Sequence, residues 1–227
     1  MNLLLEGVVG STAYGLNTPE SDVDYTGVYV EPTSRFLGLH PLAREKATMT
    51  GRRDGSDATY HEVGKAVYLM STCNPTASEI LWLDDYLHMT EFGEELVSLR
   101  SNFLAARRVR NAFFGYAVSQ FHRLTEKGRF RGSLEKRREK HARHTMRVLW
   151  QGFELYTTGV LPIRVPDPAP FFEFGQRILS EPDAASATAL IAEYKTKFDS
   201  ARTVLPAAAN EAPIEDFLQR VRRAHLD

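Results

Sequence analysis

The sequence predicts an α+β fold, with a small mixed β-sheet near the N-terminus and a helical bundle after it. Short apolar or alternating runs typical of β-strands occur before residue 62, and apolar residues recur at helical spacing after it. The composition changes from mixed to helical near residues 62–75. We therefore expect a core over residues 1–75 and a helical domain over residues 76–227.

The strands are predicted from short runs that end at turn-forming residues. Leu3–Val9 is apolar and is followed by Gly10-Ser11, and Val23–Glu31 alternates between apolar and polar residues. Residues 48–55 are expected to form a loop or a hairpin tip. Asp57–His61 is predicted as a third strand, because threonine and tyrosine favour extended backbone.

The helices are predicted from apolar residues that recur every three or four positions. Residues 63–73 follow this spacing, and Thr76 with Glu79 matches a capping box at the start of the next helix. Leu134–Thr158 is the strongest helical pattern, and Gly159 is expected to end it. Further helices are predicted within Glu91–Leu124, Phe171–Ser180, Ala184–Phe198 and Pro213–Ala224, and a basic loop at Lys127–Ser133.

The composition is that of an ordinary globular protein, with 227 residues of which 43% are hydrophobic and 25% are charged. The single cysteine, Cys73, excludes an intrachain disulfide, and we expect it to be a packing residue in a cytoplasmic protein. No apolar run is long enough to span a bilayer, and we expect the N-terminal residues to form a first strand rather than a signal peptide.

The net charge of −1 conceals an uneven distribution of charge along the chain. Residues 1–62 contain nine acidic and five basic residues, whereas residues 127–147 contain nine basic and two acidic residues. An acidic segment followed by a basic one suits a polyphosphate substrate, with or without a polynucleotide.

Two aspartates near the start of the second strand form a candidate metal site. Asp22 and Asp24 are two positions apart, so in extended backbone both project from one face. Neighbouring carboxylates repel unless a cation lies between them, and hard oxygen ligands suit Mg²⁺ or Mn²⁺. The backbone N–H groups of the preceding Gly10-Ser11 turn can bind phosphate oxygens. The pattern indicates phosphoryl or nucleotidyl transfer; the alternative is a plain turn beside two solvated aspartates.

These residues also carry a resemblance to a known family. Gly10-Ser11, Tyr14-Gly15, Ser21-Asp22-x-Asp24 and Gly27-Val28 resemble the DNA polymerase beta-like nucleotidyltransferase superfamily. Within it, the chain is most similar to nucleotidyltransferases of bacteria and phages that are sometimes found beside RNA ligases.

The resemblance implies a metal-dependent nucleotidyltransferase. It would move a nucleoside monophosphate from an NTP to a hydroxyl acceptor, with RNA as one candidate, and release pyrophosphate. Residues 1–75 would then be the catalytic core, and residues 76–227 would complete the nucleotide cleft. Gly10, Ser11 and Tyr14 are expected to bind the nucleotide.

Two-metal nucleotidyl transfer needs a third acidic ligand from a neighbouring strand. Asp57 and Glu62 are the candidates on the third strand. The superfamily pattern has an acidic residue on this strand, which favours Asp57. A favourable charge at a helix N-terminus accounts for Glu62 equally well, and His61 is expected to be a partly buried strand histidine rather than a base.

The helix predicted over residues 134–158 carries a second group of candidates. Lys140, His144 and Arg147 share one face with Gln151 and Glu154, and on spacing alone this is a solvated face. The opposite face carries Ala142, Met146, Leu149, Phe153 and Tyr156.

Two further sequence blocks resemble the same family. They are Asn74-Pro75-Thr76-x-x-Glu79-Ile80-Leu81 and Lys140-His141-x-x-His144-x-x-Arg147, the second followed by Glu154-Leu155-x-x-Thr158-Gly159. The resemblance implies that Lys140, His144 and Arg147 bind the nucleotide. A zinc site at His141 and His144 is not expected, because no cysteine and no third ligand accompany them. A polynucleotide contact and a solvated charge run are equally good interpretations of Arg129, Arg131, Arg137 and Arg138.

Two other kinds of function stay open on the sequence. The acceptor could be a protein hydroxyl, as in AMP-transferring toxins or antitoxins, or a small molecule. The chain could also be a non-catalytic nucleotide-binding or RNA-binding module. Retention of both Gly10-Ser11 and Asp22-x-Asp24 argues against the non-catalytic alternative.

Overall fold

The chain forms two compact units in the computed structural model, which describes residues 1–125, 134–181 and 183–227. The first unit contains Met1–Ala105 and Ala208–Asp227, and the second contains Ala106–Ala207. This division differs from the boundary expected at residue 75. The reason is that residues after 75 add a strand to the edge of the sheet, and the C-terminal helix packs in the first unit.

The first unit contains a five-stranded mixed sheet with the strand order β3-β4-β2-β1-β5. Strands β2 and β4 are parallel, whereas β1 is antiparallel to β2 and β5, and β3 is antiparallel to β4. The mixed sheet and the three predicted strands are thereby confirmed. The strand bounds are β1 Asn2–Val9, β2 Asp24–Val30, β3 Thr48–Arg53, β4 Ser56–Glu62 and β5 His88–Met89.

Strand β3 occupies most of the segment that was expected to be a loop or a hairpin tip. The turn itself is Asp54-Gly55, where both residues have positive φ, 51° and 83°. Two central residues with positive φ match the twist of a hairpin, and Asp-Gly is a preferred pair there. The sequence of β3 has little apolar alternation because most of its side chains are exposed.

The first unit also contains five helices among the described residues. The amphipathic C-terminal helix, α9, buries Ile214, Phe217 and Val221, which lie three and four positions apart. The five helices are α1 Gly10–Tyr14, α2 Val63–Ser71, α3 Pro75–Ser78, α4 Glu91–Ser98 and α9 Glu211–Ala224.

The predicted capping box at Thr76 and Glu79 is wrong. The residue that caps α3 is Asn74, whose side-chain oxygen accepts from the backbone N–H groups of Thr76 and Ala77 at 3.2 and 3.1 Å. Pro75 occupies the first helical position, where its missing N–H costs nothing. The Glu79 side chain is buried in the first unit.

The second unit is helical throughout its described residues. The predicted helix over Leu134–Thr158 is confirmed, and Gly159 ends it with a φ of 78°. Ala142, Phe174 and Ile178 belong to its buried core. Its helices are α5 Ala106–Thr125, α6 Leu134–Thr158, α7 Ala169–Leu179 and α8 Ala185–Ser200.

Some expectations fall on residues that the structure does not describe. Lys127–Ser133, which includes Arg129 and Arg131, lies outside the described residues. Within the described parts of the chain, no helix combines the length and the apolar character that a bilayer span requires.

Candidate functional site

The acidic start of β2 lies directly against the turn that follows β1. Asp24 pairs with Val9 in the antiparallel register, and Gly10 comes next with a φ of 70°. A Cβ atom at Gly10 would overlap the Asp24 carboxyl group. Glycine is therefore required here on two grounds, the left-handed backbone and the lack of space. The structure thus brings Gly10 and Asp24 together.

Ser11 is the second residue of the short helix α1, which continues the same turn. The helix closes at Gly15, and the backbone N–H of Leu16 donates to the Ser11 carbonyl at 2.9 Å. Ser11 is half-buried, whereas Tyr14 at the other end of α1 is buried. The Tyr14 hydroxyl donates a 2.6 Å hydrogen bond to a carboxyl oxygen of Glu79. The sequence offered no sign of this contact.

The register of β2 and β4 distinguishes the two candidates for the third carboxylate. Tyr25 pairs with Ala58 in the parallel ladder, so the preceding residues, Asp24 and Asp57, are level with each other. Partners in a ladder project from one face, whereas Glu62 lies five positions after Asp57 and projects from the other. Asp57 therefore shares the face of Asp24, and Glu62 does not.

Glu62 has structural partners of its own at the junction of β4 and α2. Its side chain is buried and accepts from the backbone N–H of Gly64 at 2.8 Å, which caps α2. It also accepts from both terminal nitrogens of Arg222 at 2.6 and 2.9 Å. These contacts agree with the expectation that Glu62 is a favourable charge at the N-terminus of a helix.

Asp57 and Asp22 are the exposed members of the candidate metal site. The Asp57 side chain is 81% exposed, and its nearest recorded cation is Arg52, at 3.9 Å. Asp22 precedes β2, so the alternation of side chains along the strand does not determine the face on which the Asp22 side chain lies.

The donor set at this place contains only oxygen atoms, from Asp22, Asp24 and Asp57. Among the residues that the structure describes, no group of three acidic, histidine or cysteine side chains is arranged to hold a metal ion. Mg²⁺ is commonly bound by one or two carboxylates and completes its shell with waters and substrate phosphates. The three carboxylates therefore do not form a complete metal site, and one or two of them with waters and substrate phosphates would fit Mg²⁺.

His61 lies on the same face of the sheet as Asp57, four positions further along β4. Its ring Nδ1 is 2.9 Å from the Thr48 hydroxyl on β3. Burial, with a smaller effect of Lys65, lowers the pKa of His61 below its usual value. This environment is that of a partly buried strand histidine, as expected.

A buried carboxyl group on the opposite face of the sheet was not expected from the sequence. Glu6 in β1 accepts a 2.6 Å hydrogen bond from the Tyr60 hydroxyl and pairs with Arg53. Burial and the Glu6 contact raise the pKa of Tyr60. The only sequence feature that pointed to a buried carboxyl group was the position of Glu6 within an otherwise apolar strand. Gly27 separates Glu6 and Tyr60 in the sheet, and a Cβ there would overlap the tyrosine ring.

The candidates on α6 differ in their environment. Arg147 is fully buried and donates to His144 Nδ1, at 3.0 Å, and to the side-chain oxygen of Gln151. Gln151 in turn donates to the carbonyl oxygens of Pro162 and Ile163 at 2.7 and 3.2 Å.

The expected polar face of α6 is therefore partly interior. Lys140 is exposed and His144 is half-buried, and the His144 ring lies edge-on to Tyr116, with the ring centres 5.6 Å apart. His141 Nδ1 is 3.1 Å from the side-chain oxygen of Gln120 in α5. Polar side chains at helical spacing can thus belong to an internal network as well as to a solvated face.

The fold and the site together define the class of protein. A mixed sheet in which an acidic strand start packs on a Gly-Ser turn is the arrangement expected of a polymerase beta-like nucleotidyltransferase. The chain belongs to the RNA repair pathway DNA polymerase beta family, RlaP, whose model matches residues 1–224. This match confirms the resemblance inferred from the motifs. No curated protein matches the chain.

Proposed function

We propose that this protein transfers a nucleoside monophosphate from an NTP to a hydroxyl group on RNA and releases pyrophosphate. The family supports a nucleotidyltransferase-type role, and its description as part of an RNA repair pathway favours RNA as the acceptor. The observation that carries the proposal is the contact of the Asp24 carboxyl group with the backbone of Gly10. That contact would put a phosphate-binding turn beside a metal-binding carboxylate.

One or two of the carboxylates of Asp22, Asp24 and Asp57 would bind Mg²⁺, which would complete its shell with waters and substrate phosphates. Asp57 is favoured over Glu62 because it shares the face of Asp24. When bound, the ion would offset the negative charge of the triphosphate. The backbone of Gly10 and the backbone and hydroxyl of Ser11 would bind the β- and γ-phosphate oxygens.

The reaction is a displacement at the α-phosphorus of the NTP. The oxygen of the acceptor hydroxyl forms a bond to this phosphorus while the bond to the oxygen bridging the α- and β-phosphates breaks. Pyrophosphate leaves with that bridging oxygen. Asp57 orients the acceptor hydroxyl and takes its proton. Positioning and electrostatic stabilisation supply most of the rate, since the protein forms no covalent intermediate.

Nucleotide binding by Lys140, His144 and Arg147 stays a prediction from the resemblance. The exposed ammonium group of Lys140 is available to a phosphate, whereas Arg147 is bonded to His144 and Gln151. In this arrangement Arg147 would orient His144 rather than contact a phosphate itself.

The test is incubation with each of the four α-labelled NTPs and Mg²⁺, with a pool of RNA in one arm and a pool of protein in another. We expect label in the RNA and an equal amount of pyrophosphate, and no signal from Asp24→Asn. Label confined to protein would identify a protein-modifying enzyme instead. Nucleotide binding without pyrophosphate release in any arm would identify a non-catalytic module and overturn the proposal.

A further inference from the structure

The helix that continues the Gly-Ser turn is too short to be stable without contacts to other segments. Helix α1 has five residues, Gly10–Tyr14, and an isolated helix of this length is unstable in water. Contacts with other segments, including one at each end, fix it. At its first residue Gly10 lies against Asp24, and at its last residue Tyr14 donates to Glu79. Tyr14 therefore determines the orientation of the end of α1 that is away from Asp24.

Glu79 is an unusual residue for the place it occupies. Its side chain is 2% exposed, and the next two residues, Ile80 and Leu81, are core residues. Burying a carboxyl group costs free energy unless hydrogen bonds compensate for the lost water. An apolar side chain would fill the same space without that cost. The Tyr14 hydroxyl supplies such a compensating bond, at 2.6 Å.

The segment around Glu79 is held independently of α1. Asn74 caps α3 immediately before it, and the Tyr86 hydroxyl donates to the Ile80 carbonyl at 2.7 Å just after it. The carboxyl group of Glu79 is thus a fixed point to which α1 is attached. A hydrogen bond between two side chains sets both distance and direction, which apolar packing alone does not.

We propose that Glu79 is a positioning residue for nucleotidyl transfer, which holds Tyr14 and thereby keeps the Gly10-Ser11 turn aligned with Asp24. This inference rests on the proposed function. It also changes the expected role of Tyr14, whose hydroxyl serves Glu79 instead of the nucleotide. A shift of about 1 Å in a positioning element can lower a rate by about 100-fold.

The test is a double-mutant cycle with Tyr14→Phe and Glu79→Leu. Each single change leaves one polar group without the bond between them, and we expect both stability and kcat to fall. In the double variant neither partner is left facing the other's missing polar group, so the two losses of stability should be less than additive. We expect this partial recovery of the unfolding temperature while kcat stays at least about 10-fold below that of the unmutated protein.

Two further variants separate positioning from a merely structural role. Glu79→Gln keeps an acceptor for the Tyr14 hydroxyl, so it should retain most of kcat. Thr33→Val removes a half-buried hydroxyl bond to the Arg222 carbonyl in the same unit, which involves neither α1 nor the segment around Glu79, so it should lower stability but leave kcat unchanged. If kcat recovers together with stability in the double variant, Glu79 is a packing residue and the inference is wrong.

A readout that does not depend on turnover distinguishes failure of this inference from failure of the proposed function. The backbone N–H groups of Gly15 and Leu16 donate to the carbonyls of Thr12 and Ser11. Their hydrogen exchange should accelerate in Tyr14→Phe and in the double variant but not in Thr33→Val. Unchanged exchange in Tyr14→Phe would contradict the inference even if the unmutated protein transferred no nucleotide.

Discussion

The carboxyl group of Glu62 accepts hydrogen bonds from both terminal nitrogens of Arg222, although the two residues are 160 positions apart. The pair connects the C-terminal helix α9 to the start of α2, and the guanidinium also lies over the ring of Phe36 at 4.3 Å. A carboxyl group held in this way contributes to folding of the first unit. It lies on the face of the sheet opposite to Asp24.

We therefore expect Glu62→Ala to lower the free energy of unfolding by about 3–5 kcal/mol, because it removes one partner of a buried ion pair. Urea denaturation measures this change. The control is Glu193→Ala, which removes an exposed pair with Lys197 on α8 and should cost less than about 1 kcal/mol. A stable Glu62→Ala protein that no longer binds Mg²⁺ would instead make Glu62 a metal ligand.

Gly10→Ala should abolish nucleotidyl transfer. The new methyl group would occupy the space of the Asp24 carboxyl group, and alanine is strained by roughly 1–2 kcal/mol in left-handed backbone. Gly55→Ala is the matched control, since Gly55 also has positive φ but no atom within 4 Å of the added carbon. Both variants should lose a similar amount of stability from strain, whereas only Gly10→Ala should lose activity. Equal activity in the two would show that the contact with Asp24 is not needed.

Asp57→Asn should lower kcat by about 100-fold or more without a change in unfolding temperature, because the side chain is exposed and makes no close ion pair. Steady-state kinetics with Mg²⁺ and the labelled NTP measure the effect. Asp54→Asn is the control, an equally exposed aspartate in the hairpin turn, where asparagine also tolerates positive φ. An active Asp57→Asn protein would remove Asp57 from the site.

The protein should become less stable as the pH is lowered below about 6.5, because His61 takes up a proton more readily in the unfolded chain. Burial lowers the pKa of this ring in the folded protein, so in acid the unfolded chain binds the proton first. This destabilising contribution of His61 is absent above the pKa of the unfolded chain. It grows as the pH falls and becomes constant below the pKa of the folded protein. His61→Gln, which can still bond to Thr48, should flatten this part of the stability profile in urea denaturation. The same slope in both proteins would contradict the assignment.

Lys140→Ala and Arg147→Ala should have different effects. Lys140→Ala removes an exposed ammonium group, so it should weaken only NTP binding. The KM for the NTP should rise several-fold, and the unfolding temperature should not change. Arg147→Ala should lower the free energy of unfolding by about 1–3 kcal/mol, because the buried Gln151 and the half-buried His144 lose a donor. Thermal unfolding and NTP titration separate the two. Lys195→Ala, on the exposed face of α8, is the control for loss of a lysine.

Much of the fold was predictable because its signals are local. The apolar run of β1, the alternation of β2 and the helical spacing of α6 each depend on neighbouring residues. Strand β3 was missed because its exposed side chains carry no apolar pattern. The cap of α3 was misplaced by two residues because Asn74 and Thr76 are both capping types, and only the backbone decides between them.

The sequence by itself determined the class of this protein, since Gly10-Ser11 and Asp22-x-Asp24 are close enough in the chain for their chemistry to be recognised together. Only the tertiary structure decided the partners of its carboxyl groups. Tyr14 meets Glu79 across 65 positions, and Glu62 meets Arg222 across 160. Such pairs leave no periodic trace in the sequence, because they depend on how strands and helices from distant parts of the chain pack against each other.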